Sequence, residues 1–395
     1  MRVLIYADQP PLITRASGDV RFSALIKMIA SFADVTFCTL PVWIERGQAG
    51  DMEVGNSLLE LENMGCIVRE DFLNLVRNDR FDMVVFEFYD AAFRHLDAVR
   101  YHQQTARIVI DSVDLHFRRF LTKAKIDGSA ESFLQAAKIK REELTTYKRA
   151  DSVVLVTPED VEALKIENPY VHAGLIPNIH TVPPLIDKDC GDPPQLIFVG
   201  GFSHAPNIDA VLYFTHDIWP HVKAHLPLAK MMVIGEHPPN EIQQLNGPDF
   251  QVLGRVSDIS PLLLKADISV APLRWGGGIK GKVGEAMAYG LPVVTTPVGA
   301  EGFNLVPGKH AIVEDDPEAF AEGVVRLARD NELYRTMRRA GHALIQDRFT
   351  PEALERKVES YFQEILKLPV RKLEILTSMR LTAAEIWRHH IAWRI

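Results

Sequence analysis

The densest group of residues able to do chemistry lies in Val270–Gly290, VAPLRWGGGIKGKVGEAMAYG. Gly276, Gly277 and Gly278 carry no Cβ, so the backbone there can approach a ligand closely. Lys280 and Lys282 add full positive charge. The run that follows, closed by Gly290, predicts a helix. Its first N–H groups are free and its start is partially positive. Amides and lysines converging on one helix start suit a diphosphate. Glu285 sits just inside that helix. A carboxylate is badly placed for phosphate, but it can accept hydrogen bonds from two vicinal hydroxyls, as on a ribose. The segment thus predicts a nucleotide site built from Gly278, Lys280, Lys282 and Glu285, with Arg274 as a further cation.

Two other readings compete. A plain turn needs fewer glycines and no lysines, although Glu in a first helical turn is ordinary dipole complementarity. Gly276 to Lys282 also fits the P-loop spacing G-x-x-x-x-G-K, but the next residue is Val283, where a P-loop needs a hydroxyl for magnesium. The run ending in Asp111 could mimic the second magnesium residue, but it lies in the other half of the chain. No G-x-G-x-x-G follows the first apolar run, which disfavours a nicotinamide enzyme.

The elements that must position this segment can be read from apolar runs. Arg2–Ala7, Val35–Leu40, Met83–Phe86, Ile108–Ile110 and Val153–Val156 read as short buried strands, and Phe22–Phe32 and Ala137–Arg149 as helices between them. Strands alternating with helices imply a parallel sheet covered on both faces. A stretch with Pro183, Pro184, Pro193 and Pro194 interrupts the pattern and predicts a linker over 183–194. The alternation restarts with strands at Leu196–Val199, Lys230–Ile234, Asp267–Pro272 and Pro292–Thr295, and with a helix opening at Asp209. The expected organisation is a first α/β unit over 1–182, a second over 195–350, and a closing helix and tail over 351–395. A cleft between two such sheets is a natural ligand site.

Bulk properties narrow the class. The net charge of −8 argues against general nucleic-acid binding. Cys38, Cys66 and Cys190 are scattered, which argues against a zinc site or disulfide framework and fits a reducing compartment. The apolar run Val3–Ala7 is far shorter than a signal-peptide core, and no run approaches a membrane span. A cytoplasmic protein is expected, either free or peripheral at the inner face of a membrane.

Read together, FVGGFSHAPNIDAVLYFTHDIWP at Phe198–Pro220, Gly254-Arg255-Val256, the lysine segment with its continuation to Phe303, and IPNIH at Ile176–His180 resemble the group 1 glycosyltransferases of family 4. The resemblance is strong over about residues 150–350. It implies the GT-B architecture of two facing Rossmann-like domains. It also implies a retaining, hexosyltransferase-type reaction from a UDP- or GDP-type nucleotide-sugar, with no metal and no cofactor. By position, Lys280 and Lys282 would face the diphosphate, Glu285 would hold the ribose, Gly200 and Gly201 would lie near the sugar phosphate, and Arg255 and Val256 would border the base. The chain departs from the common pattern at Gly277, where many members carry a donor-sugar glutamate, and in GGFSHAPN, which lacks the usual Arg and Lys.

The same resemblance places the acceptor, a glycan, lipid-linked or protein one, on the first unit. Gln9–Arg21, with Arg15, Gly18, Asp19 and Arg21, resembles the family's glycine loop, and His116 resembles its donor-sugar histidine. His116 could equally be a histidine that only caps a strand end. The missing glutamate keeps a second possibility in view, a catalytically inactive GT-B module acting as a partner in a glycan-assembly complex. An enzyme of the same architecture such as an epimerase or phosphorylase is a further reading, although nothing in the sequence marks the cofactor lysine that a phosphorylase needs. In the basic tail, Leu376, Met379, Ala383, Trp387 and Ile391 recur at helical spacing. Such a stripe predicts packing on the first unit or between copies, or docking on an anionic membrane.

Overall fold

The computed structural model describes residues 1–12, 17–373 and 377–382. Two parallel sheets form its framework. The first has seven strands in the order β3-β2-β1-β4-β5-β6-β7: β1 Arg2–Tyr6, β2 Asp34–Cys38, β3 Ile67–Arg69, β4 Met83–Glu87, β5 Arg107–Asp111, β6 Ser152–Leu155 and β7 Ala173–Leu175. The second has six in the order β10-β9-β8-β11-β12-β13: β8 Gln195–Val199, β9 Lys230–Ile234, β10 Phe250–Gly254, β11 Ile268–Ala271, β12 Val293–Thr295 and β13 Ile312–Val313. The strand order reverses between β1 and β4, and again between β8 and β11. Loops at such switch points open a crevice at the strand C-termini.

The apolar runs form strands because both faces of each sheet are covered. Leu4, Val84, Phe86, Ile108 and Ile110 pack into one core layer of the first sheet, whereas Val3, Ile5, Met83, Val85 and Val109 pack into the opposite one. Leu196, Phe198, Met231 and Val233 alternate in the same way with Ile197, Met232 and Ile234 in the second sheet. The strands that the apolar runs do not signal are short or lie at edges. Ile67 is exposed on β3, and Gln251 and Leu253 on β10, so half-solvated strands leave no continuous apolar run. The helix expected to open at Asp209 begins earlier, at Ala205, with Pro206 in its first turn, and its last turns widen into a π-helix over Phe214–Ile218. A proline there sacrifices no intrahelical bond.

The proline-rich stretch is pinned to the second unit. The Arg338 guanidinium donates to Ile186 O at 2.8 Å, Lys188 O at 2.7 Å and Gly290 O at 2.7 Å, and Lys188 Nζ lies 3.0 Å from Asp267. The helix Pro351–Lys367 crosses back to the first unit, where Leu354, Val358, Phe362 and Ile365 enter a core layer. Gly174 is required beneath it, because a Cβ there would lie 2.0 Å from the Tyr361 ring. Past the helix, the Arg371 guanidinium donates to Lys148 O at 2.8 Å, and Thr382 Oγ1 lies 3.1 Å from Tyr101 Oη. Leu376, Ala383, Trp387 and Ile391, four of the five residues of the apolar stripe of the tail, lie outside the described residues. Among the described residues, no helix is long and apolar enough to cross a membrane.

Candidate nucleotide site between the sheets

The loop from Pro272 to Lys280 connects β11 to the helix Gly281–Ala288. Gly276 has φ +145° and Gly278 φ +61°, values that side-chain-bearing residues rarely adopt. Lys280 stands at the N-cap and, among the described residues, no side chain caps this helix, so its leading amides remain available to an anion. Two glycines let the helix start lie flush against the first unit. A Cβ at Gly281 would meet Ser17 at 2.3 Å, and one at Gly284 would meet His180 Nε2 at 2.3 Å.

The lysines are unequal in their surroundings. Lys280 Nζ donates to Gly278 O at 2.6 Å and lies 3.3 Å from Glu301 Oε2. Burial lowers its pKa, and Glu301 opposes that shift. Lys282 donates to Asn207 Oδ1 and sits 4.3 Å above the Phe198 ring centroid. No carboxylate pairs with it among the described residues. Burial, with Lys280 adding to it, pushes its pKa down to about 7. A bound anion would supply the missing countercharge and hold the ammonium protonated.

Gly200 and Gly201 complete the cradle. A Cβ on Gly200 would come within 2.8 Å of both Lys282 Nζ and Asn207, and Asn207 Nδ2 donates to Gly201 O at 2.7 Å. Asn207 is thus an organising residue that motif reading missed. Its only sequence signal is its place in the first turn of the helix that follows GGFSHAP. Glu285 is half-buried and has no hydrogen-bond or ion-pair partner among the described residues. Burial pushes its carboxyl up to about 7. An unpartnered acid next to a cation-rich helix start is an acceptor awaiting donors.

Other expected residues stand elsewhere. Arg274 does not join the cradle, because its guanidinium pairs with Asp209 and lies 4.9 Å from the Tyr213 ring centroid. Arg255, beside half-buried Val256, extends to Glu53 of the first unit at 3.3 Å. Arg21 does not face the cleft. It is fully buried, forms a two-pronged pair with Asp111 at 2.8 Å, and donates to Ile176 O at 2.9 Å. Asp19 and Gly18 are part-exposed at the start of the helix Ser17–Ala30, with Gly18 against Val113. Arg15 lies outside the described residues.

The first unit supplies the opposite wall. Glu143 accepts from the backbone N–H groups of His116 at 3.0 Å and Phe117 at 2.8 Å, capping the helix His116–Asp127. Burial lowers the pKa of His116, and its Nδ1 has no hydrogen-bond partner among the described residues. Its Nε2 lies 3.5 Å from Asp114 Oδ1. Asp114, paired with Arg119 at 2.9 Å, reaches the glycine loop itself. It fills the space beside Gly277, so sequence reasoning saw the missing glutamate but not the carboxylate that arrives from the other half. Arg118, 3.7 Å from Glu301, ties the same wall to Lys280.

Residues 193–330 match the family model described as "Glycosyl transferases group 1". The putative glycosyltransferase YtcC of Bacillus subtilis is 29% identical over 112 residues, which span 28% of this chain and 28% of that protein. Sucrose-phosphate synthase from Thermosynechococcus elongatus superposes with a TM-score of 0.68 at 15% identity, covering 92% of this chain and 99% of that one. Anabaena HepE, solved in complex with UDP, superposes with a TM-score of 0.67 at 13% identity, covering 92% and 100%. The chain therefore has the GT-B fold, and its second sheet lies within the segment that matches the group 1 glycosyl transferases.

Proposed function

We propose that the protein transfers a sugar from a nucleoside diphosphate sugar, held on the second unit, to a hydroxyl of an acceptor held on the first. The observation that carries this reading is the pairing, on one helix start, of the incompletely neutralised Lys282 with the unpartnered Glu285. The first suits the diphosphate and the second the ribose. The group 1 family match over 193–330 and the UDP complex of HepE support the same class.

In this reading the donor's pyrophosphate lies across the Gly278–Lys282 amides with Lys280 and Lys282, and Gly200 and Gly201 approach the sugar phosphate. Arg255 and Val256 border the base. As the C1–O bond breaks, negative charge grows on the departing phosphate. The lysines and amides stabilise that charge without reorganising, which makes the reaction metal-independent. His116 and Asp114 meet hydroxyls of the transferred sugar. The acceptor hydroxyl approaches from the leaving-group face and its proton passes to the departing phosphate oxygen. The new C1–O bond therefore retains configuration, and no side chain is alkylated.

Thermal-shift measurements with UDP, GDP and ATP, each with magnesium or EDTA, test the reading. A shift with UDP or GDP that persists in EDTA is expected, and Lys280→Ala should remove it. A response confined to magnesium-ATP overturns it. Nucleotide binding with no sugar release or transfer from any donor would leave the inactive partner module as the function.

A further inference from the structure

Two adjacent arginines of the helix His116–Asp127 meet different surroundings. Arg118 is engaged on both sides, pairing with Asp160 of the first unit and lying 3.7 Å from Glu301 of the second. Arg119 is engaged on one. Its Nη1 lies 2.9 Å from Asp114 Oδ2, and its side chain is 25% exposed. Its Nε and Nη2 form no hydrogen bond among the described residues. Arg21, which serves only to neutralise Asp111, bonds the two carboxylate oxygens with one Nη atom each. Arg119 instead holds a part-desolvated guanidinium with most of its donors unused, and that group keeps its charge at any working pH.

Its partner fixes where that guanidinium stands. Asp114 Oδ2 is the oxygen that a Cβ on Gly277 would approach to 2.1 Å, and a Cβ on Gly278 would lie 3.2 Å from Asp114 Cβ. Arg119 therefore stands at the glycine loop of the second unit, although it belongs to the first. His204, at the N-cap of the helix Ala205–Tyr213, registers the same convergence from the other loop of the cradle. Burial pushes its pKa down to about 4, and the charges of Arg119, Lys282 and Lys280 act in the same direction, opposed by Asp114. A first-unit arginine and both cradle lysines thus act on one residue of the loop that follows Gly201.

The cradle has use for such a group. Lys280 already shares the carboxylate of Glu301, and the ammonium of Lys282 has its pKa pushed down to about 7. Neither brings a full, unshared charge above neutral pH. A guanidinium meets the oxygens of a phosphate with parallel N–H groups and stays charged there. A sugar hydroxyl would leave that charge uncompensated, whereas the terminal phosphate of a nucleoside diphosphate supplies both the oxygens and the countercharge.

We propose that Arg119 reaches from the first unit to the diphosphate of the bound nucleotide and contacts the phosphate from which the sugar departs, so that both units build the phosphate site. This rests on the transferase reading above and adds a first-unit residue to it. The test is calorimetry on the full chain with two pairs of nucleotides, UDP against UMP and GDP against GMP. The unmodified protein should prefer the diphosphate of one pair. Arg119→Gln should shrink that preference by roughly tenfold, the loss of about one charge-assisted hydrogen bond, and leave the monophosphate affinity unchanged. Arg119→Lys keeps a cation beside Asp114 and loses the fork. It should lose less of the preference, and it carries the test should Arg119→Gln melt at a lower temperature than the working one. An unchanged preference in both variants overturns the assignment. So does an equal loss for diphosphate and monophosphate, which would show that Arg119 serves only to hold Asp114. Failure of the unmodified protein to bind either diphosphate is a different result, because it removes the transferase reading and this assignment with it.

Discussion

The carboxylate of Asp114 occupies the space that any side chain at position 277 would need. A Cβ built on Gly277 would lie 2.1 Å from Asp114 Oδ2. The two residues come from different units, so this contact sets how closely the second unit's glycine loop approaches the first, and it puts an acid of the first unit at that loop.

Gly277→Ala should therefore force the units apart or displace Asp114. Transfer should fall by more than nucleotide affinity, because the cradle on the second unit is untouched while the opposite wall moves. Asp114→Gly combined with Gly277→Ala relieves the clash but removes the acid. If Asp114 only packs, the double variant recovers activity. If it meets the sugar, activity stays low while the separation of the units, read by small-angle scattering, returns to normal.

In the proposed reading, Lys282 should make nucleotide binding pH-dependent. Its free-state pKa is pushed down to about 7 by burial and by Lys280, and a bound diphosphate would raise it again. Below pH 7 the ammonium is already charged and binding takes up no proton. Above pH 7 binding must protonate it, so affinity for the nucleotide should fall, by up to about tenfold per pH unit. Calorimetry in two buffers of different ionisation enthalpy would show proton uptake at pH 8. Lys282→Arg should flatten the profile.

In the proposed reading, Glu285 trades stability for nucleotide binding. Its carboxyl is pushed up to about 7 in the fold, from an ordinary value of 4.5. Between those values the folded state holds a proton that the unfolded chain has lost. Stability from this group is therefore greatest at low pH and is lost as pH rises through about 7. Glu285→Gln removes the cost of a half-buried carboxylate with no partner among the described residues. It should raise Tm at pH 8 in the absence of ligand while weakening nucleotide binding, whereas at pH 5 the difference in Tm should shrink.

Arg21 belongs to the frame of the first unit. Removing it leaves Asp111 buried and unpaired, so Arg21→Ala should cost about 3–5 kcal/mol, measured by urea denaturation. Arg21→Lys loses the two-pronged geometry and should also destabilise. Neither should change acceptor KM in whatever fraction remains folded, which would separate this role from an acceptor contact.

The alternating apolar runs, the lysine-bearing helix start and the carboxylate behind it were legible from residue types and local spacing, because each depends on neighbours within a few positions along the chain. So was the crossing helix, from the stretch after Pro351. What the linear order could not assign was direction. Arg21, Arg274 and Lys282 are all cations close to strand ends or glycine loops, yet one is buried against Asp111, one turns to Asp209, and one faces the cradle through Asn207. Those outcomes follow from which carboxylate lies nearby in space. Asp111 is far from Arg21 in sequence, and Asp209 is far from Arg274. The pairing of Asp114 with Gly277 is of the same kind: only the folding of two sheets face to face brings a carboxylate of one half into the space left by the other. Local spacing determined the glycine- and lysine-bearing helix start; the burial and charge that tune it were decided by the tertiary structure, because desolvation and ion pairing depend on distance in space.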